Sequence, residues 1–500
     1  MSNWSQLLEG FQSALTAQNL MYGLLGTFLG TLVGVLPGIG PALAIALLLP
    51  VTFSVDPTSA LIMFAAVFYG AMYGGSTTSI LLNTPGEAGS VITSLEGHQM
   101  AKRGRAGAAL TTAALGSFVA GLIATVLLAG AAPTLAELAL KVQPAGYVAL
   151  IFAAFVTVGT LLGSSKVRGF LSLSIGLIIG LIGLDLQTGI NRISFGIQEA
   201  SDGIEVIVVV ISFFALGEVI YHASRFKDNT WSVLPVKGRV WMDKQDFKRS
   251  WKPWLRGTAI GFPMGLIPAG GSEIPTFMSY SLEKKLSKNK EEFGTGAIEG
   301  VAGPEAANNA NAAGVLVPLL ALGLPTSATA AIMLVALKNF NIQPGPMLFE
   351  MNGALVWTLI ASLFIGNTLL LLINLPLVRM WIQLLQIPRH YLFAGITTFG
   401  LLGAYSLNNS LFDMRVALIL GFFGYLFRRF GVPNTPLIIG VILGPVFETR
   451  FREAVQLSNG DYGILVAGSF PKAIYLGLVI FLIAPKIFRW WNQRGAQVKN

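Results

Sequence analysis

Polar side chains gather in two short stretches of an otherwise apolar chain, and their chemistry suits the binding of ions. Residues 73–87 supply hydroxyl and amide groups, and residues 300–314 place three asparagines among small residues. Amides can donate to a carboxylate and can coordinate a cation through oxygen. Asn308 and Asn311 lie three positions apart and would share a helical face. The alternatives are hydroxyls that bond back to the preceding turn, small residues that let helices approach, or a polar loop.

Both polar stretches lie close to breaks in apolar segments, centred on Pro37, Pro85, Pro268 and Pro325. Inside a membrane, a broken helix is tolerated only where protein or a wet cavity surrounds it. A helix that starts after such a break offers unpaired N–H groups and a partial positive charge, which suits a carboxylate. Unwound carbonyls beside it suit Na⁺. A single break would favour a kink that only shapes packing, whereas four breaks in matched pairs favour a binding site.

Acidic residues also stand beside the breaks, at Glu87, Glu273, Glu299 and Glu305. A carboxylate inside a membrane is a functional candidate by default, because burying it is costly. Such a group could carry a coupling proton or bind Na⁺. The alternative, which the sequence leaves open, is that these residues cap helix starts at the wet ends of the elements.

The predicted substrate and ion site combines residues from the breaks and from the two polar stretches, with Asn83, beside a break, favoured for ligand contact. Its predicted members are Pro37, Gly38, Gly40, Ser76, Thr77, Thr78, Asn83, Thr84, Pro85, Gly86, Gly270, Gly271, Ser272, Asn308, Asn309, Asn311, Pro325, Thr326 and Ser327. The predicted coupling carboxylates are Glu87, Glu273 and Glu305.

Covalent and metal-dependent catalysis find little support in the sequence. There is no cysteine, the three histidines are isolated, and Asp185 stands alone without a partner for an acidic dyad. No pair has metal-ligand spacing, and no Walker motif couples the chain to ATP. We therefore predict a protein that is not an enzyme, has no cofactor or structural metal, and uses Na⁺ or H⁺ as a coupling ion.

The composition indicates which elements position these residues. The chain has 500 residues, of which 53% are hydrophobic and 11% charged, with a mean hydropathy of +0.67. Soluble domains carry roughly 25% charged residues, so the sequence predicts an all-α membrane protein with several spans. The net charge of +9 is attributed to cytoplasmic loops rather than to nucleic-acid binding.

The two halves of the chain share a motif. Gly26, Gly30, Gly34, Pro37 and Gly40 match residues 257, 261, 265, 268 and 271 at one constant offset. Internal duplication with paired broken segments is typical of secondary transporters. The predicted organisation is an interfacial segment at 1–19, a first membrane repeat at 20–222, a basic cytoplasmic linker at 223–256, a second repeat at 257–450, and an extra transmembrane helix with a basic tail at 451–500.

The distribution of Lys and Arg predicts that the two repeats are inverted. Basic residues follow the second broken element of the first half, at 102–105, but the first broken element of the second half, at 284–290. Since Lys and Arg mark cytoplasmic loops, equivalent loops fall on opposite sides of the membrane. The same trace places the C-terminus in the cytoplasm and the N-terminus outside, if residues 20–50 form a hairpin. A single broken span there would place the N-terminus inside.

Several motifs together resemble the large membrane subunit of tripartite tricarboxylate transporters, the TctA family. They are GVLPGIGP at 34–41, YGGSTTSILLNTPGE at 73–87, GLIPAGG at 265–271 and GPEAANNA at 303–310, and EGHQM at 96–100 is also similar. The likeness covers nearly the whole chain, with no departure in these motifs.

The resemblance implies a multi-pass protein of the bacterial inner membrane. It implies a small membrane subunit and a periplasmic solute-binding protein as partners, with homodimerisation also open. It further implies uptake of citrate or a related carboxylate with Na⁺ or H⁺, by elevator-like motion of a transport domain against a scaffold. The rival classes are an intramembrane enzyme, and an ion channel or scaffold without concentrative transport.

Overall fold

The computed structural model describes residues 3–36, 40–161, 165–185, 187–225, 234, 236, 241–268, 271–384 and 388–497. Predicted site residues Pro37, Gly38 and Gly270 lie outside this described part of the chain.

Helices dominate the first half. Their bounds are α1 Asn3–Ala14, α2 Ala17–Val35, α3 Pro41–Leu48, α4 Pro57–Leu82, α5 Val91–Lys102, α6 Ala106–Ala139, α7 Pro144–Leu161, α8 Lys166–Gly180, α9 Val206–Val210 and α10 Gly217–Ala223. A π-helical segment, Ile211–Leu216, joins α9 to α10. Two short antiparallel strands, β1 Gly183–Leu184 and β2 Asn191–Arg192, follow α8. Short 3₁₀ turns lie at Pro50–Thr52, Ala88–Ser90 and Glu199–Asp202.

The second half is also helical. Its elements are α11 Lys244–Gly265, α12 Glu273–Leu286, α13 Glu299–Leu322, α14 Ala328–Asn339, α15 Leu348–Met351, α16 Gly353–Asn374, α17 Val378–Leu384, α18 Arg389–Asn408, α19 Leu411–Phe430, α20 Asn434–Leu457, α21 Ile464–Ala467 and α22 Ser469–Gln497, with a 3₁₀ turn at Lys290–Glu292.

Four described helices are long and apolar enough to cross a membrane, and they confirm the prediction of an all-α membrane protein. They are α4, α6, the helix over residues 206–223, and α16. In α4, 94% of the most apolar window is buried inside the protein, so this helix lies among its neighbours rather than at the surface.

Glycine stripes bring α2 onto α4 and α11 onto α13. A Cβ on Gly30 would lie 2.4 Å from the carbonyl oxygen of Val67, and one on Gly261 would lie 2.2 Å from that of Ala307. The residues four positions before and after each of them are also glycines, and a Cβ on any of these would lie similarly close to a backbone carbonyl oxygen of the neighbouring helix. Small residues spaced four apart allow helix backbones to approach this closely. Two long central helices, α4 and α13, are each held by a glycine-lined partner.

Both central helices end in a left-handed residue, and a proline follows each end. Asn83 has φ 56° after α4, and Gly323 has φ 67° after α13. This conformation is the commonest way to terminate a helix, and Asn and Gly adopt it most readily. The chain therefore turns away from each central helix at Pro85 and Pro325 before a new helix begins.

The helices α2, α4, α11 and α13 form the core of the protein. A second group, which consists of α8, α10, α19, α20 and the π-helical segment, packs beside this core. A Cβ on Gly176 of α8 would lie 2.0 Å from the carbonyl oxygen of Leu437 in α20, and Gly217 of α10 lies against Gly424 of α19. The π-helical segment belongs to this group, and the Asn434 amide donates to its Phe213 carbonyl at 3.1 Å. A π-helical turn disturbs the regular backbone bonding, and Asn434 provides a donor for one of its carbonyls.

An ion-pair cluster ties the β1–β2 hairpin to the end of α20. Arg452 bonds Asp185 with its Nη2 3.0 Å from Oδ2, and Arg192 bonds Glu448 at 2.9 Å. Hydrogen bonds from Arg452, with smaller contributions from the Thr188 hydroxyl and a backbone N–H, hold the pKa of the Asp185 carboxyl well below its ordinary value. Asp185, which stands alone in the sequence, is therefore a paired structural carboxylate.

We expect this cluster to stabilise the protein in a pH-dependent way. Because the folded-state pKa of Asp185 lies below its unfolded-state value, the stabilisation is complete above about pH 4 and is lost as the pH falls through the folded-state pKa. Asp185→Asn should lower the melting temperature at pH 7, and the difference from wild type should shrink at pH 3. The exposed Asp202→Asn, measured alongside, should change little at either pH. A deficit in Asp185→Asn that is equally large at pH 3 would contradict the assignment.

Candidate functional site

The ends of four elements meet around one cavity of about 440 Å³. Gly40 and Pro41 at the start of α3, Ser272 and Glu273 at the start of α12, and Ser327–Thr329 at the start of α14 contribute to its wall. The loop after α4 contributes residues 85–88. Three helix starts therefore border one space, and each offers N–H groups that its own helix leaves unpaired.

Glu87 holds the loop after α4 in place and borders the cavity. Its carboxylate accepts from Gly89 N at 3.0 Å and from Asn308 Nδ2 at 2.9 Å. Asn308 is fully buried in α13, and its Oδ1 has no hydrogen-bond partner. A Cβ on Gly89 would meet both this Oδ1 and the Ser272 hydroxyl, so only glycine leaves this small polar space open.

Glu305 lies in a separate, closed polar site. It is fully buried, accepts from Ser76 Oγ at 2.5 Å, and accepts from Thr93 Oγ1 on its other oxygen. The three residues belong to α13, α4 and α5, so this carboxylate joins helices from both halves of the chain.

Comparison with known proteins decides which family this architecture represents. The model of the tripartite tricarboxylate transporter TctA family matches residues 20–439. The chain belongs to this family. The resemblance identified from the motifs is thereby confirmed, and membership of a transporter family agrees with the prediction that the chain is not an enzyme.

Two curated relatives come from Agrobacterium vitis. An uncharacterized 52.8 kDa protein in the TAR-I ttuC' 3' region is 44% identical over 486 residues, which is 97% of this chain and 97% of that protein. An uncharacterized protein in the TAR-II ttuC' 3' region is 44% identical over 225 residues, which is 45% of this chain and 93% of that protein. No solved structure gives a significant match.

Nine residues predicted from the sequence line the cavity of this TctA-family protein. They are Gly40, Pro85, Gly86, Glu87, Gly271, Ser272, Glu273, Asn311 and Ser327. They come from all four breaks and from α13, so the structure brings together groups that lie far apart in the chain.

Other predicted residues lie behind or beside the cavity. Asn309 donates to Ser117 Oγ at 2.6 Å, Thr326 to the Gly265 carbonyl at 2.8 Å, and Thr78 to the Gly75 carbonyl at 3.0 Å. Thr78 thus bonds back to the preceding turn of its own helix, which is one of the alternatives given for the polar stretches, whereas Asn309 and Thr326 bond to neighbouring elements. Thr77 and Pro325 are buried, and Thr84 is half-buried and bonds weakly to the Leu82 carbonyl.

Asn83 is favoured for ligand contact in the sequence analysis, and that role stays a prediction. Its residue is exposed, it does not border the cavity, and its left-handed backbone ends α4. The physical reason is that an asparagine directly before a Thr-Pro turn serves the helix terminus, whereas Glu87, four residues on, reaches the cavity.

The cavity wall also contains residues that the sequence analysis did not single out. Phe68 and Met72 of α4 add apolar surface, and Phe214, Arg428 and Thr435 come from the second group of helices. No spacing or motif connects the last three to the breaks. Phe214 lies in the π-helical segment, and the sequence analysis did not predict that this segment deviates from an α-helix.

Proposed function

We propose that this chain is the large transmembrane subunit of a tripartite, binding-protein-dependent secondary transporter. It imports citrate, another tricarboxylate or a related organic carboxylate by symport with Na⁺ or H⁺. The observation that carries the proposal is the single cavity bordered by three helix starts and the loop after α4.

The cavity supplies the interactions that a small carboxylate needs. Unpaired N–H groups at the starts of α12 and α14 can donate to carboxylate oxygens, and the helix dipoles favour negative charge there. The Ser272 and Ser327 hydroxyls and the Asn311 amide add short polar contacts in the same wall. Phe68, Met72 and Phe214 exclude water around the carbon skeleton.

A cation is needed because Glu87 and Glu273 line the same space as the proposed anion. The Glu87 carboxylate and the unpaired Asn308 Oδ1 lie side by side, and both are hard oxygen ligands of the kind that Na⁺ prefers. A proton on either carboxylate would neutralise the charge equally well. Coupling follows in both cases, because the anion binds well only once the cation is present.

The proposed motion is an elevator-like displacement of the core against the second group of helices. Two glycine-lined pairs, α2 with α4 and α11 with α13, carry all four breaks, which supports two structural repeats. The remaining wall residues, Phe214, Arg428 and Thr435, belong to the second group. A substrate site between two packed units is the arrangement that alternating access uses.

The proposed orientation is that of the charge trace, with the protein in the bacterial inner membrane, the C-terminus in the cytoplasm and the N-terminus in the periplasm. Two ion-pair sites support this trace. Arg105 pairs with Asp246, and both lie in segments traced to the cytoplasm. Arg192 pairs with Glu448, so the hairpin after α8 and the end of α20 lie on the same side of the membrane. The proposed partners are a small membrane subunit and a periplasmic solute-binding protein, and homodimerisation stays open.

The experiment that tests binding is the thermal stability of the purified full chain with citrate, succinate, malate or acetate, with and without Na⁺. A ligand at about 100 times its Kd stabilises the folded state by about 2.7 kcal/mol, so the melting temperature should rise by several degrees. We expect a rise with at least one di- or tricarboxylate that is larger in Na⁺ than in K⁺, or larger at low pH if the coupling ion is H⁺. The proposal would be contradicted if none of these anions raised the melting temperature of the isolated chain and none raised that of the chain co-purified with its partner subunits.

A further inference from the structure

Arg428 is the one basic residue among the described residues that line the cavity. It lies in the last turn of α19, three residues before the left-handed Gly431 that ends the helix. Its side chain is 52% exposed, so it can be reached from the cavity and from solvent. Phe214 and Thr435 line the same cavity, together with residues of the broken elements of the core.

A carboxylate from the same group of helices already holds this arginine. Arg428 Nε lies 3.3 Å from Glu218 Oε1, and Glu218 is 19% exposed. Glu218 is the second residue of α10, which directly follows the π-helical segment that carries Phe214. Its other oxygen lies 3.5 Å from His222 Nε2 and has no hydrogen bond. The guanidinium also lies over the Tyr221 ring, 5.4 Å from its centroid.

We propose that Arg428 binds a carboxylate group of the transported anion, and that Glu218 occupies Arg428 while the cavity is empty. This inference rests on the proposed function and assigns a substrate contact that lies outside the broken elements. Binding then exchanges one carboxylate partner of Arg428 for another, so the guanidinium keeps a charged partner throughout.

The exchange has a consequence for selectivity. One carboxylate of the substrate meets the helix starts of the core, and a second one meets Arg428, which lines the same cavity from α19. A ligand with a single carboxylate cannot do both, because the helix starts and Arg428 each take one carboxylate group. Arg428 therefore favours di- and tricarboxylates, and it ties the substrate to both groups of helices.

Two variants should shift affinity in opposite directions. Arg428→Gln removes a charge-assisted bond and should weaken binding roughly 10- to 100-fold. Glu218→Gln removes the competing carboxylate and should tighten binding by about two- to tenfold, since the competing ion pair is partly exposed and therefore weak. Arg428→Lys keeps a charge without the planar fork and should fall between wild type and Arg428→Gln.

A matched control is the neighbouring Arg429, which bonds the Tyr425 hydroxyl at 2.9 Å and does not border the cavity. Arg429→Gln should leave binding unchanged. The measurement is the dissociation constant for citrate, succinate and malate from ligand-dependent melting of the full chain. The double variant Glu218→Gln/Arg428→Gln should bind as weakly as Arg428→Gln alone, because Glu218 acts only through Arg428.

The outcomes separate this inference from the proposed function. If wild type binds one of the three anions and Arg428→Gln and Arg428→Lys both bind it as well as Arg429→Gln does, the assignment of Arg428 is wrong and the transporter proposal stands. Weaker binding in Glu218→Gln would overturn the exchange with Glu218. If wild type, with its partner subunits, binds none of the three, both proposals fail together.

Discussion

Replacing Asn308 with alanine should reduce carboxylate uptake by about tenfold or more while the protein still reaches the membrane. Asn308 is fully buried and donates to the Glu87 carboxylate at 2.9 Å. A hydrogen bond to a charged group contributes about 1.5–3 kcal/mol, which corresponds to a factor of 10 or more. Without the amide, Glu87 loses the bond that orients it at the cavity wall, and the proposed cation loses an oxygen ligand.

The measurement is uptake of a labelled carboxylate by cells that produce the variant with its partners, normalised to the amount of protein in the membrane. Asn374→Ala is a matched control, because Asn374 is also a buried asparagine with an unpaired Oδ1 but lies in α16 away from the cavity. Equal uptake by Asn308→Ala and Asn374→Ala would remove Asn308 from the site. Loss of membrane protein in Asn308→Ala alone would show that its role is structural.

Replacing Gly261 with leucine should prevent the protein from accumulating in a folded form. A Cβ at this position would lie 2.2 Å from the Ala307 carbonyl oxygen, and this neighbour is backbone inside a buried helix. Overpacking costs 1–3 kcal/mol or more even where side chains can move aside. Here α11 would have to separate from α13, which would open the contacts that hold the second pair of breaks.

The amount of monodisperse protein after size-exclusion chromatography tests this prediction. Gly130→Leu is the control, since nothing lies within 4 Å of a Cβ at Gly130 in the apolar helix α6. We expect Gly130→Leu to behave as wild type. Normal yield and melting of Gly261→Leu would contradict the close contact between α11 and α13.

The sequence predicts the local features of this fold well, because each has a local physical cause. Proline and glycine set the breaks, and the spacing of Gly257, Gly261 and Gly265 marks the face on which α11 packs. Members of the predicted site that line the cavity, such as Ser272 and Ser327, stand directly at helix starts. Helix starts can be located from sequence, so these residues could be found without a structure.

Contacts between distant segments could not be predicted from the sequence, because no residue spacing or motif indicates them. Glu96 is fully buried and its carboxylate accepts from the backbone N–H groups of Gly296 and Ala297 and from the Tyr280 hydroxyl. Nothing near Glu96 in the sequence indicates that loop. Asp185 and Arg452 are likewise paired across more than half of the chain.

Arg428 illustrates the same limit at the cavity itself. In the sequence it is one of two arginines at a helix end, which the positive-inside rule explains without any ligand. Its place in the wall follows from the packing of α19 beside α10 and from the π-helical segment. Asn83 ends α4 with a left-handed backbone, which the sequence analysis did not single out.

Concentrative, cation-dependent transport of an organic carboxylate can be measured as uptake into vesicles. The full chain would be reconstituted with its small membrane subunit in sealed vesicles, and its binding protein loaded with labelled citrate, succinate or malate would be added outside. An imposed inward gradient of Na⁺ or H⁺ should drive accumulation of one of these anions above its external concentration, and collapsing that gradient should stop it. Equilibration without accumulation under both gradients, in vesicles shown to contain folded complex, would contradict the account and favour a passive pathway.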